Sequence, residues 1–209
     1  PKAQPDLIQA AVKLAKQAEV VLLCIGLDEI AESEGLDRSH LELSQGQLDL
    51  IEEVGKANSN IIFLLSGGAP FRIPRLDNCR AILHGYLGGQ AGAEAMADVL
   101  LGNETPSGKL NETWPENLED TPAYNYFPSK ERTAEYRESV YVGYRYYDTA
   151  GVPVRYPFGY GLSYTTFAYS DLTVSEEKVT FTLTNTGKLD GAEVAQLYVS
   201  APGKDIFRP

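Results

Sequence analysis

Between Asp28 and Asp37 the chain sets five carboxylates within ten residues, Asp28, Glu29, Glu32, Glu34 and Asp37, with Arg38 the one cation close by. Carboxylates crowded in this way oppose one another's ionisation, which lifts a pKa toward the range of a general acid. A solvated acidic loop is the plainer reading of the same composition. Position argues against it. The segment follows Val20 to Ile25, a short continuous apolar run of the kind that forms a strand buried on both faces of a parallel sheet. In open parallel sheets ligands bind beyond the carboxyl ends of the strands, where this loop must start.

Other groups carry weaker chemistry. The glycine-rich stretch Gly85 to Gly92 lacks both the Gly-Lys-Ser/Thr ending of a phosphate loop and the Gly-x-Gly-x-x-Gly spacing of a dinucleotide site, so it reads as a tight strand-to-helix turn. Ser107-Gly108-Lys109 is likewise a turn whose lysine could face a ligand. His40 and His84 stand too far from other ligand types for a metal site. His84 instead suits a core or sheet-edge position. Cys24 fits as a small hydrophobe inside its strand, Cys79 has no clear place, and neither lies in a Cys-x-x-Cys motif. No metal, cofactor or redox centre is expected. Trp114 and the tyrosines could stack on pyranose faces, although packing is the ordinary use of such side chains. Asn103-Glu104-Thr105 and Asn111-Glu112-Thr113 match the glycosylation tripeptide, which arises often by chance.

The elements that would position the acidic loop alternate in type. Pro5 and Asp6 suit a helix start, followed by Leu7, Ile8, Ala11, Val12, Leu14 and Ala15 at helical spacing. Ser44 with Gln47 three residues on reads as a capping box opening a helix with Leu48, Ile51 and Val54 on one side. Ile61 to Leu65 and Ala81 to Leu83 repeat the buried-strand pattern, and Gln90 to Leu101 reads as a helix stopped by Gly102. This order predicts an α/β fold, a mostly parallel sheet with helices on both faces. The loops starting at Gly26, Gly67 and Gly85 then share one edge and should be neighbours.

Composition shifts near Pro115. Eleven of the 13 tyrosines lie between Tyr124 and Tyr169, too many for a disordered linker. A mostly irregular wrap is expected over about 115–165, with one short regular piece around Val140 to Tyr147. Beyond it Val179, Phe181 and Leu183 alternate with threonines as a half-buried strand, Asn185-Thr186-Gly187 turns the chain, and Val194 to Val199 is a second strand candidate. The predicted division is an α/β domain with its wrap over 1–165 and the opening of a β-sandwich over 166–209. The unpaired strand edge of such a truncated sandwich could drive association into a homodimer.

Ordered motifs along nearly the whole chain carry a family resemblance. Glu32-Ser33-Glu34-Gly35-Leu36-Asp37-Arg38 with Leu41-Glu42-Leu43 resembles the acid/base loop of glycoside hydrolase family 3, the β-glucosidase and β-xylosidase family. Ser66-Gly67-Gly68-Ala69-Pro70 is similar to its strand-end turn, and Gly88-Gly89-Gln90-Ala91-Gly92 to its helix entry. Ala97 to Gly102, Pro106-Ser107-Gly108-Lys109-Leu110 and Trp114-Pro115 resemble its most recognisable run. Tyr141 to Asp148 and Pro157 to Tyr164 follow in the family's order. Asn185-Thr186-Gly187 and Gly191-Ala192-Glu193-Val194, with Gln196 and Tyr198, resemble the start of its fibronectin-III-like domain.

The resemblance implies a retaining, exo-acting β-glycosidase whose α/β sandwich domain sits against a (β/α)8 barrel that carries the nucleophilic aspartate. That barrel alone takes about 250 residues, so this chain is expected to hold half of an active site and to be inactive by itself. Within the motif the acid/base is implied to be Glu34, the glutamate before glycine, with Glu32 its rival. In an extended segment the two would point to opposite faces. Asp37 and Arg38 are expected to pair with each other, to shape the loop or bind substrate. The implied partners are a β-glucoside or related oligosaccharide and the barrel. A non-catalytic carbohydrate-binding or interaction module is the alternative.

The remaining composition limits other readings. With 18 basic and 29 acidic residues the net charge is -11, which disfavours a phosphate-tracking nucleic-acid binder. No stretch approaches the roughly 18 consecutive apolar residues of a membrane helix. Beginning at Pro1, the chain reads as a processed or excised piece with no leader in view, and its compartment stays open.

Overall fold

A computed structural model describes residues 4–74 and 79–200, which fall into two compact units: those up to Met96 together with Pro115–Arg137, and Ala97–Trp114 together with those from Glu138 onward. The first unit holds α1 (Pro5–Ala15), β1 (Val21–Gly26), α2 (Gln45–Ala57), β2 (Ile61–Ser66) and β3 (Cys79–His84). Pro5 and Asp6 occupy the first turn of α1, where a missing N–H and a negative charge are both favourable. α3 (Gly92–Leu101) follows, and Gly102 stops it with a left-handed φ of 77°.

The three strands form one parallel sheet in the order β1-β2-β3, with Leu23 opposite Phe63 and Ile25 opposite Leu65. Leu23, Ile25, Ile61, Phe63 and Leu65 are buried, and with Ile51 and Val54 of α2 they make the core. Asn58, just past α2, donates to the carbonyls of Ala15 and Ala18 and ties α2 to the end of α1. The predicted α/β class and parallel order are observed.

Burial on both faces of β1 is not. Leu23 and Ile25 are buried, whereas Leu22 is 49% exposed and Cys24 is exposed. β1 is an edge strand among the described residues, and its continuous apolar run alternates between a covered face and an open one. The expectation that Cys24 packs as a small hydrophobe inside its strand is corrected on the same ground. Cys79 begins β3 and is half-buried.

In the second unit the regular piece expected around Val140 to Tyr147 is a helix set further along, α4 (Tyr144–Ala150), started by Gly143 and stopped by Gly151 in the left-handed region. After the short strands β4 (Trp114–Pro115) and β5 (Val154–Tyr156), the chain forms an antiparallel hairpin of β6 (Phe167–Val174) and β7 (Val179–Asn185). Asn185 shapes the turn that follows, accepting from Gly187 N–H (3.0 Å) and donating to Leu189 O (2.8 Å).

Val194 to Val199 does not form a strand; β7 pairs with β6 alone among the described residues, which leaves this segment without a backbone partner. Side chains hold it instead. Gln196 donates to Gly159 O (3.0 Å), and the Tyr198 ring meets Tyr144 edge-on at 5.4 Å. The aromatic residues largely pack on one another, as in the stacked pairs Tyr144–Phe158 (5.0 Å) and Tyr156–Tyr160 (5.1 Å). Trp114 and Tyr147 are buried, which makes them packing residues.

Candidate active site

The acidic loop leaves the sheet at Gly26, and two contacts fix its departure. Leu27 N–H donates to Ser66 O at 3.0 Å, bringing the ends of β1 and β2 together. The side-chain amide of Gln47 then pairs with both backbone groups of Gly26, accepting from its N–H at 2.9 Å and donating to its carbonyl at 2.8 Å. The capping box expected from Ser44 and Gln47 therefore takes another form. Ser44 is the N-cap of α2 without a side-chain cap bond, and Gln47 reaches across to β1.

From there the loop folds as successive turns, and the extended course expected between Glu32 and Glu34 is replaced. Asp28 Oδ1 accepts from Ala31 N–H (2.9 Å) and Asp28 O from Glu32 N–H (3.1 Å), closing a first turn. Leu36 N–H donates to Ser33 O (3.2 Å) across a second, with Gly35 at φ 79° in its third place. A positive φ at that place is what a type II turn demands, and glycine meets it without steric cost. Glu34 precedes Gly35 and sits at the tip of this turn.

The acidic residues separate sharply in their surroundings. Glu32 is half-buried, and its Oε1 accepts from Gly68 N–H at 2.7 Å in the turn after β2. Glu34 and Asp37 are exposed, and neither makes a hydrogen bond or ion pair among the described residues. The expected Asp37–Arg38 pair does not form. Arg38 turns inward, its Nη1 donating to Pro70 O at 3.0 Å, while its Nη2 is buried. Burial lowers the pKa of this guanidinium and the nearby charge of Glu32 opposes that effect.

The other two strand-end loops close the edge. Gly67 N–H donates to Tyr86 O (3.3 Å) and Gly85 N–H to Leu65 O (2.9 Å), so the loops after β1, β2 and β3 are neighbours as expected. His84 ends β3 between Phe71, edge-on at 6.5 Å, and Tyr86 at 4.0 Å. Further along, Arg72 N–H bonds Leu41 O (2.7 Å), its guanidinium pairs with Glu42, and Nη2 reaches Asn117 Oδ1 (2.6 Å). Arg72 was not among the residues singled out from sequence, and Gln47 was read only as part of a cap. No local spacing marks the contacts they make, because their partners lie 21 and 45 positions away. Among the described residues no group of three or more His, Cys, Asp or Glu side chains could hold a metal ion.

The fold and this edge define an α/β domain whose first strand-end loop presents exposed carboxylates, Glu34 among them. The profile described as "Glycosyl hydrolase family 3 C-terminal domain" matches residues 3–164, and the chain belongs to that family. It is similar to thermostable beta-glucosidase B of Acetivibrio thermocellus, 43% identical over 98% of this chain and 28% of the relative. It is also similar to an exo-alpha-(1->6)-L-arabinopyranosidase of Bifidobacterium breve, 45% identical over 99% of this chain and 28% of the relative. Among solved structures, a GH3 beta-glucosidase of Bifidobacterium adolescentis superposes with a TM-score of 0.87 at 44% identity, covering 91% of this chain and 29% of that one. The chain thus spans somewhat over a quarter of the length of these relatives.

Proposed function

We propose that this chain supplies the general acid/base, Glu34, to a retaining exo-acting glycosidase whose nucleophilic aspartate lies on a (β/α)8 barrel outside these 209 residues. One observation supports Glu34 above its rival Glu32: it stands exposed at a turn tip with no hydrogen bond or ion pair among the described residues, while Glu32 is bonded to Gly68. Over the equally exposed Glu29 and Asp37 it is preferred by its place before Gly35 in the family motif. A proton donor must reach a glycosidic oxygen that arrives from outside the domain, and a carboxyl already bonded to backbone is poorly placed for that.

In the first step Glu34, protonated, would deliver its proton to the departing oxygen as the barrel aspartate attacks the anomeric carbon. In the second, Glu34 as carboxylate would take a proton from the water that displaces the aspartate. The two carboxyl groups need to come within about 5–5.5 Å for this retaining course. Substrates are β-linked glucosides or related glycosides. The arabinopyranosidase among the relatives indicates that the sugar at the reaction centre varies on this scaffold. No cofactor has a role. The segment from Phe167 onward is proposed as the start of a fibronectin-III-like domain, of which the β6–β7 hairpin is the visible part.

A carbohydrate-binding role without catalysis is the second reading, favoured by Tyr124, Tyr126, Phe127 and Tyr136, which all expose ring surface within one segment. A leaving-group series on the full-length protein separates the two. Glu34→Gln should depress kcat/KM about a hundredfold or more on alkyl or phenyl glucosides, and far less on dinitrophenyl glucoside, whose leaving group needs no proton. On the latter kcat itself falls through the second step, which still lacks its base. Equal kinetics for variant and parent on both substrates would overturn the catalytic reading. The isolated 209-residue chain should turn over neither substrate above background.

A further inference from the structure

We infer that Glu32 and Arg38 are positioning residues that clamp the Glu34 turn to the end of β2, an inference that rests on Glu34 being the acid/base. The two lie on either side of Glu34 in sequence and seize the same five-residue turn, Ser66 to Pro70, by opposite polarities. Glu32 Oε1 accepts the Gly68 N–H at 2.7 Å, and Arg38 Nη1 donates to the Pro70 carbonyl at 3.0 Å. Both side chains are half-buried, whereas Glu34, Gly35, Leu36 and Asp37 between them are exposed.

A loop held only at its ends would let its tip drift. Here the segment from Ala31 to Arg38 is pinned at residues 32 and 38, and the turn between them closes on itself through Leu36 N–H and Ser33 O (3.2 Å). That leaves the Glu34 side chain exposed on a frame bonded at both sides of it. The charge assignment suits the task. A carboxylate makes a shorter and stronger bond to a backbone N–H than a neutral acceptor, and a guanidinium does the same for a carbonyl. The opposite charges of Glu32 and Arg38 also favour each other across the turn. Glu32 thus acts through Glu34: its accepting oxygen holds the frame, and no proton passes through it.

Displacing a reacting group by about 1 Å can cost a hundredfold in rate, and loss of proton transfer is felt only where the leaving group needs a proton. The full-length protein carrying Glu32→Ala should therefore lose about ten- to a hundredfold in kcat/KM on phenyl glucoside and less than about threefold on dinitrophenyl glucoside. Glu32→Gln keeps an oxygen that accepts the Gly68 N–H and should restore most of the loss. Amide exchange at Gly68 should quicken in Glu32→Ala and return toward the parent rate in Glu32→Gln.

Equal losses on both substrates, or no recovery with Gln, would overturn the positioning role, with Glu34→Gln measured alongside. If Glu34→Gln shows the leaving-group signature and Glu32→Ala does not, the clamp fails and the acid assignment stands. If Glu32→Ala shows it, Glu32→Gln does not recover, and Glu34→Gln is silent, Glu32 is itself the acid and both assignments fall. Silence from both variants likewise overturns both.

Discussion

Gln47 joins α2 to β1 through a single residue, its side-chain amide satisfying both the N–H and the carbonyl of Gly26 at 2.9 and 2.8 Å. The acidic loop begins at the next residue, so this pair sets the direction in which the chain leaves the sheet. Gln47→Ala strands two part-buried backbone groups, each worth about 1–3 kcal/mol if left unpaired. The expected outcome is a loss of about 2 kcal/mol or more in urea unfolding, with the midpoint lowered and the slope kept. Gln47→Glu should also destabilise, because a carboxylate cannot donate to the Gly26 carbonyl.

Two glycines of the same region should respond differently to alanine. A Cβ on Gly26 would stand 1.8 Å from Ser66 O, a backbone atom that cannot swing aside. Gly26→Ala should cost about 3 kcal/mol or more, at the upper end of overpacking. Gly35 has open space around it, and only its φ of 79° resists a side chain. Gly35→Ala should cost about 1–2 kcal/mol, and Gly35→Asn less, since asparagine enters the left-handed region more readily. Thermal unfolding of the three variants checks the order.

Much of the course from α1 to α3 was legible because its signals are local. Pro5 and Asp6 mark a helix start, Gly102 marks a stop, and alternating strand and helix patterns imply a parallel sheet. Adjacency of the loops at Gly26, Gly67 and Gly85 followed from topology. What stayed hidden depends on partners distant in sequence. The Ser44-x-x-Gln47 spacing fits a capping box, yet the amide finds two better partners on β1. Val20 to Ile25 carries enough apolar residues for two covered faces, and sequence holds no mark that β1 would be an edge. Val194 to Val199 has strand propensity but no neighbouring strand among the described residues. The inward turn of Arg38 to Pro70 similarly overrode the nearer Asp37.

The second unit contains a nearly buried ion pair. Lys109 Nζ donates to Gly161 O at 2.7 Å and lies 3.4 Å from Glu193 Oε1, with the two side chains 13% and 15% exposed. Removing one partner of such a pair leaves an uncompensated charge, at a cost of about 3–5 kcal/mol. Lys109→Met and Glu193→Leu should each destabilise strongly, while the double variant falls well short of the sum. A double-mutant cycle should return a coupling of about 1–3 kcal/mol; additive losses would contradict this.

His84 makes stability depend on pH in a defined direction. Burial pushes its imidazole below the ordinary 6.5, partly offset by a hydrogen bond with the Leu65 backbone and by the charge of Glu32. Above about pH 6.5 the residue is neutral in both folded and unfolded chains and adds no slope. As pH falls below that value the unfolded chain binds the proton first, so stability declines until the lower folded value is passed. His84→Phe should remove this part of the decline. Urea midpoints at about pH 7.5 and about pH 5.5 should therefore lie closer together in the variant than in the parent.

The role of Glu34 is tested most directly by the product formed when its carboxyl is removed. Full-length Glu34→Ala, given dinitrophenyl β-glucoside and azide, should form a glycosyl-enzyme that the anion attacks without general-base help. The predicted result is β-glucosyl azide, identified by NMR, with turnover raised about tenfold or more over the azide-free reaction. Wild-type rates on all leaving groups, with no azide adduct, would contradict the assignment.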